Sequence, residues 1–224
     1  MRKIFIDGGA NRGQSIKAFL KEWPNADQYE IFSFEASSGG DIRNDLNILE
    51  EENKNVKIFY KALWVENGSM IFYDDEKTSS SLIKEKPVNY KSKNEVETID
   101  LSSWIKETFI YEDEIILKLD VEGAEYEILE HMVEEGTIHM VNTLFAEIHG
   151  SKCGKSYFET KKLIDKIKSV GYKIYSWEAE EFEYEKYENL FYNESFLLKL
   201  YNNWSSRGFD RIVQQRNINE DKII

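Results

Sequence analysis

One cysteine, two prolines and no excess of positive charge are what this 224-residue chain has least of. With Cys153 alone, no intrachain disulfide can form, so the core must hold the fold, and a reducing, cytoplasmic compartment is the simple reading. The sequons at Asn67, Asn193 and Asn203 are accordingly expected to go unused. The scarcity of proline, with no low-complexity stretch, internal repeat or shift in composition, leaves no mark of a linker and points to a single domain over residues 1–224. The formal charge of −13 is the opposite of the basic footprint that nucleic-acid binding requires. Lys161, Lys162, Lys166 and Lys168 come nearest to a basic patch, and they fit the solvated face of a helix. No apolar run is long enough to span a bilayer, and Arg2 and Lys3 lead straight into an apolar segment, which leaves no room for a signal peptide. The expected partner is a small molecule or glycan, with neither nucleic acid nor membrane; oligomeric state has no signature in the sequence.

Hydrophobic residues make up 41% of the chain and aromatics 14%, enough for a globular core. The apolar run Ile4-Phe5-Ile6 ends in Asp7-Gly8-Gly9-Ala10-Asn11-Arg12-Gly13-Gln14. Such a run bounded by glycines reads as a buried strand. Ile16, Phe19, Leu20 and Trp23 then recur at helical spacing until Pro24. The glycines thus lie at a helix N-terminus, where unpaired N–H groups gather and a backbone without Cβ can approach a ligand. A second strand, Ile31 to Phe34, ends in Glu35. An acid at that distance can accept both hydroxyls of a ribose, each hydrogen bond worth about 1.5–3 kcal/mol. The dinucleotide spacing G-x-G-x-x-G is absent. Asp7 beside the loop would repel a pyrophosphate and favour a ligand bearing ammonium or sulfonium, which makes S-adenosylmethionine the expected cofactor. The plain alternative is a glycine turn that only closes a strand–helix unit.

Further along, the pattern predicts a polar helix over 41–53 and a strand over 56–60. Asn67-Gly68 signals a hairpin with a returning strand over 70–73. A strand over 95–99 and a helix over 101–108 complete a middle insertion. The strand–helix rhythm resumes with a strand over 115–120 and a helix from Gly123 to Gly136. A strand over 143–149 follows, then a helix opened by the capping-box pair Ser156 and Glu159. Strands over 172–177 and 195–200 finish the sheet. The fold class is α/β: a doubly wound, mostly parallel sheet with an antiparallel edge strand and a β-hairpin insertion.

Lys118-Leu119-Asp120-Val121-Glu122-Gly123-Ala124-Glu125 resembles a block of the FkbM family of S-adenosylmethionine-dependent methyltransferases. Asp7 to Gly13, Phe34-Glu35, Ala62-Leu63, Ser80-Ser81-Leu82, Thr98 to Leu101 and Ala146 to His149 agree with it in order, covering roughly residues 4–150. Gly8 and Ala36 depart from the usual family residues, and the chain from Ser151 onward does not match. The resemblance implies a class I methyltransferase-like (Rossmann-like) fold, a cofactor-binding core over 1–150 and an acceptor-shaping part over 151–224. It implies an O-methyltransferase acting on a hydroxyl of a sugar, glycan or glycosylated metabolite. A nicotinamide-dependent oxidoreductase, or a catalytically silent cofactor- or glycan-binding module, are the alternatives.

In an open α/β sheet ligands bind beyond the carboxyl ends of the strands, where Asp7, Glu35, Asp120, Glu147 and His149 all fall. Cofactor contacts are expected from Asp7, Gly8, Gly9, Asn11, Gly13, Gln14, Glu35, Ala36, Ala62, Leu63 and Asp120. Asp120 is placed beside the sulfonium, with a helix N-cap as its other reading. His149 is the natural general base, with Glu147 orienting it or acting itself, and Asp120 and Glu122 complete the catalytic candidates. Lys118, buried among carboxylates, reads as a paired structural charge, and Glu125 as structural. No metal is expected, although Asp120, Glu147 and His149 could hold Mg²⁺ or Mn²⁺. The acidic, aromatic segment from Trp177 to Tyr187 reads either as a solvated edge or as a platform for a sugar ring.

Overall fold

The computed structural model describes residues 1–37, 39–74, 80–84, 90–177, 182–186, 191–193 and 196–197. Its centre is a five-stranded sheet, parallel throughout. The strands are β1 (Lys3–Gly8), β2 (Glu30–Phe34), β3 (Val56–Phe59), β7 (Glu114–Leu119) and β8 (Thr143–Ala146), in the order β3-β2-β1-β7-β8. Around it lie α1 (Gln14–Glu22), α2 (Gly40–Glu52), α3 (Leu101–Thr108), α4 (Glu125–Glu134) and α5 (Tyr157–Ser169). Strand parity explains how both faces are covered. Ile4, Ile6, Leu117 and Leu119 pack with α3, α4 and α5 in one cluster, while Phe5 and Ile116 point the other way. On that second face Phe5 stacks on Phe19 of α1, ring centroids 4.0 Å apart. Burial on both faces is why these strands read as continuous apolar runs.

The middle of the chain forms a separate sheet of β4 (Ala62–Trp64), β5 (Gly68–Asp74) and β6 (Ser92–Asp100), ordered β4-β6-β5. Here the structure departs from the expected hairpin. Asn67-Gly68 does turn the chain, but β4 and β5 are not partners, because β6 inserts between them, parallel to β4 and antiparallel to β5. Asn67 Oδ1 accepts instead from the backbone N–H of Asp100 at 3.0 Å, so the turn is spent on docking β6.

Two edges are shorter than expected. β8 stops at Ala146, leaving Glu147 and His149 in the loop beyond it. The strand over 172–177 reduces to single bridges, Phe145 to Tyr175 in parallel and Tyr175 to Phe191 antiparallel, which is all of the antiparallel edge among the described residues. Most of the strand over 195–200 lies outside them. Trp177 and Phe182 stack at 4.0 Å and are buried against Phe145. These two rings belong to the core and offer no platform to a sugar. The capping box of Ser156 and Glu159 forms as expected. Among the described residues no helix is long and apolar enough to cross a membrane.

Candidate functional site

The strand order reverses between β1 and β7, and the loops after these two strands meet there. A cleft opens at this point. Gly9 and Asn11 supply one side, Phe34, Glu35, Ala36 and Ser37 a second, and Asp120, Val121, Glu122 and Ala124 a third. The small sheet closes it with Ala62, Leu63 and Phe72, and Leu82 packs beside them. The wall mixes apolar side chains with Lys61 and Ser80, and has carboxylates at both ends.

Glu35 marks one end. Its two carboxylate oxygens accept from the backbone N–H of Asn11 at 2.7 Å and of Ser37 at 2.6 Å. Asn11 reaches that bond through a left-handed φ of 47°, which asparagine tolerates better than most residues. Burial raises the Glu35 pKa against the pull of those two N–H groups and of Lys118. The loop glycines do more for packing than for a ligand. A Cβ on Gly9 would lie 1.8 Å from the carbonyl oxygen of Asp120, and one on Gly13 would lie 2.1 Å from Leu49 of α2. Gly9 is on the wall all the same, whereas Gly8, Gly13 and Gln14 are not. Gln14 instead accepts from the N–H of Arg12.

Asp7 is also off the wall. Its register partner is Lys118, and Lys118 Nζ lies 3.1 Å from Asp7 Oδ1 in a fully buried ion pair. Asp7 Oδ2 accepts from the hydroxyls of Ser15 and Ser33. Lys118 Nζ donates onward to the carbonyls of Gly9 and Gly8 at 2.9 and 3.3 Å. Burial works against its charge, but Asp7 and Asp120 outweigh it and raise the pKa. Asp7 is thus paired away from the wall, and the acids that line the cleft are Glu35, Asp120 and Glu122, with Lys61 as a cation among them.

The other end is a knot of four carboxylates around His149. Nδ1 meets Glu125 Oε1 at 3.0 Å. Nε2 faces Glu147 at 3.2 Å, Glu122 at 3.4 Å and Asp120 at 3.7 Å. His149 is only 1% exposed and stands behind the carboxylates that line the cleft. Burial disfavours its charge, but Glu125, Glu147 and Glu122 overcome that and hold its pKa well above the ordinary value, which favours the imidazolium. Burial pushes Asp120 the other way, up to about 6 despite Lys118 and His149. For Glu147 the bond and charge of His149 outweigh burial and bring the pKa down to about 2. Asp120 does not cap α4, whose N-cap is Ala124. Glu125 organises the turn before the helix, accepting from the N–H of Val121 and of Gly123. Glu122 holds φ at 54°, a region that costs a residue with a β-carbon on the order of 1–3 kcal/mol. Cys153, buried and outside any disulfide, packs where a Cβ on Gly123 would lie 2.4 Å from its Sγ.

One ligand atom each from Asp120, Glu122 and His149 lie within 4.8 Å of one another, a grouping that could hold a metal ion. The same acids favour a proton on the ring, so a cation at Nε2 would compete with that proton. The structure adds Ser37, Phe72 and Leu82 to the wall, none of which the sequence singled out as site residues. Leu82 lies in the block Ser80-Ser81-Leu82, which the resemblance had flagged without a role.

No curated protein matches the chain. The model of the Methyltransferase FkbM domain matches residues 7–174, from the first strand end through α5 and beyond. That span includes both ends of the cleft and three-quarters of the sequence, and the chain belongs to the FkbM methyltransferase family.

Proposed function

We propose that this methyltransferase uses S-adenosylmethionine and methylates a hydroxyl, on a sugar, glycan or glycosylated metabolite. The observation that carries the reading is the division of the cleft: apolar side chains between a doubly held carboxylate at one end and acids gathered around His149 at the other. A ligand with a flat apolar ring, a diol and a cation fits that donor set. Glu35 would take the ribose hydroxyls, and Phe34, Leu63, Phe72 and Leu82 the adenine. Asp120 would face the sulfonium. When bound, the cofactor supplies an electrophilic methyl group. The single reduced cysteine fits a cytoplasmic protein.

The chain's own part is to hold the acceptor in line and to take its proton. His149 is buried behind the wall and its acids favour its protonated form, so the base role falls to the carboxylates in front of it. Asp120 is the better of these, since its affinity for a proton lies near neutrality. His149 then serves as a fixed positive charge that keeps Asp120, Glu122 and Glu147 together. Calorimetry tests the reading: S-adenosylhomocysteine should bind and NAD should not, with Glu35→Ala weakening binding about tenfold or more. Binding of NAD alone would establish an oxidoreductase instead. A screen of hydroxylated sugars with labelled methyl donor should give turnover; cofactor binding with no transfer to any acceptor would favour a silent binding module.

A further inference from the structure

We propose that Ser81 is a positioning residue that fixes the backbone of Glu122 and so aims its carboxylate at the acceptor side of the cleft; this rests on the reading of that side given above. Ser81 is fully buried and lies opposite Tyr73, exchanging backbone hydrogen bonds of 2.9 Å with it in both directions. Its hydroxyl donates to the carbonyl of Glu122 at 2.7 Å and accepts from the N–H of Ile83 at 2.9 Å. The other side of that same peptide unit, the N–H of Gly123, is held by Glu125 at 2.9 Å. One peptide unit is therefore held at both edges, by a serine bridged to β5 and by an acid from α4.

The clamp has something to hold. Glu122 sits at positive φ, and Gly123 after it, at φ 118°, has no Cβ to resist rotation of the plane between them. Without the serine hydroxyl the weaker Cys153 thiol at 3.6 Å still meets that carbonyl, but the plane loosens and the Glu122 carboxylate shifts from its place 3.4 Å from His149 Nε2. Ser80 and Leu82, on either side of Ser81, line the cleft. The cofactor wall and the acceptor-side acid are thereby set by one short segment.

The test uses the full chain labelled with ¹⁵N, which has only three histidines to assign: His131, His139 and His149. Ring resonances and the Kd for S-adenosylhomocysteine are measured for Ser81→Ala, Ser81→Cys and Glu122→Gln. Ser81→Ala should move the His149 ring signals in the same direction as Glu122→Gln, leave His131 and His139 in place, and keep the Kd within about twofold. Ser81→Cys, which keeps a weak donor, should restore part of the shift. In methyl transfer, Ser81→Ala should lower kcat on the order of tenfold at unchanged cofactor KM. The proposal falls if Ser81→Ala leaves His149 unmoved, if it moves all three histidines alike, or if neither serine variant folds. A wild-type chain that binds no S-adenosylhomocysteine, yet shows the His149 signature, would overturn the proposed function and leave the clamp standing.

Discussion

Lys118 and His149 are the two buried cations of the site, and each is held charged by acids that would repel one another without it. Removing one member of a buried pair strands the other, which costs about 3–5 kcal/mol. Lys118→Met should therefore destabilise the fold by that amount, read by urea denaturation, and Asp7→Asn should also be clearly destabilising. At His149 the consequence is chemical. His149→Gln removes the positive charge, so the acid limb of kcat against pH should move upward as Asp120 becomes harder to ionise. Asp120→Asn should lower kcat by roughly 10²–10⁴-fold, and chelators should leave turnover unchanged. How far these roles were legible differs by residue. Glu35 and Asp120 stand out in the sequence as acids at strand ends. That Asp7 turns inward could not be seen, because it follows from β1 lying next to β7, strands more than a hundred residues apart. The protonation of His149 likewise depends on Glu125, which the sequence assigns only to a helix start.

Among the elements, the alternation of strands and helices was legible nearly throughout, because periodicity and turn residues are local. β2 and α3 fall where the pattern put them. Pairing in the small sheet was not, since an Asn-Gly turn fixes a reversal of the chain and leaves open which strand fills the gap. α3 offers a clean local test. Asp100 caps it, accepting from the N–H of Ser103 at 3.1 Å and from the Ser103 hydroxyl at 2.7 Å. Asp100→Ala should cost about 1 kcal/mol, a fall in Tm of about 2–4 °C. At the other face, Trp177→Ala should cost about 3–5 kcal/mol by opening a hole beside Phe145, with acceptor KM unchanged. A selective rise in acceptor KM would instead return that segment to the substrate.

For the molecule as a whole, the buried charges set the pH range of stability. His149, raised in the folded state, contributes fully below about pH 6.5 and loses that contribution as pH rises through its folded value. Asp120, raised to about 6, is a carboxyl that folding keeps protonated, so stability declines as pH climbs from about 4 to 6. Asp100 and Asp113 are lowered, by hydrogen bonds and charges that outweigh burial, and their contribution is lost as pH falls below about 4. Thermal melts should therefore peak near pH 5 and decline on both sides; a maximum above pH 7 would contradict the assignment of His149. Cys153 adds a clock to this picture. Its sulfur is buried against the turn that carries Glu122 and Gly123, so a thiol reagent reaches it when the packing between that turn and residues 151–153 opens. The rate of alkylation thus reports openings of the packing around that turn, and a ligand that settles in the cleft against Glu122 should slow it in proportion to how firmly it holds the turn in place.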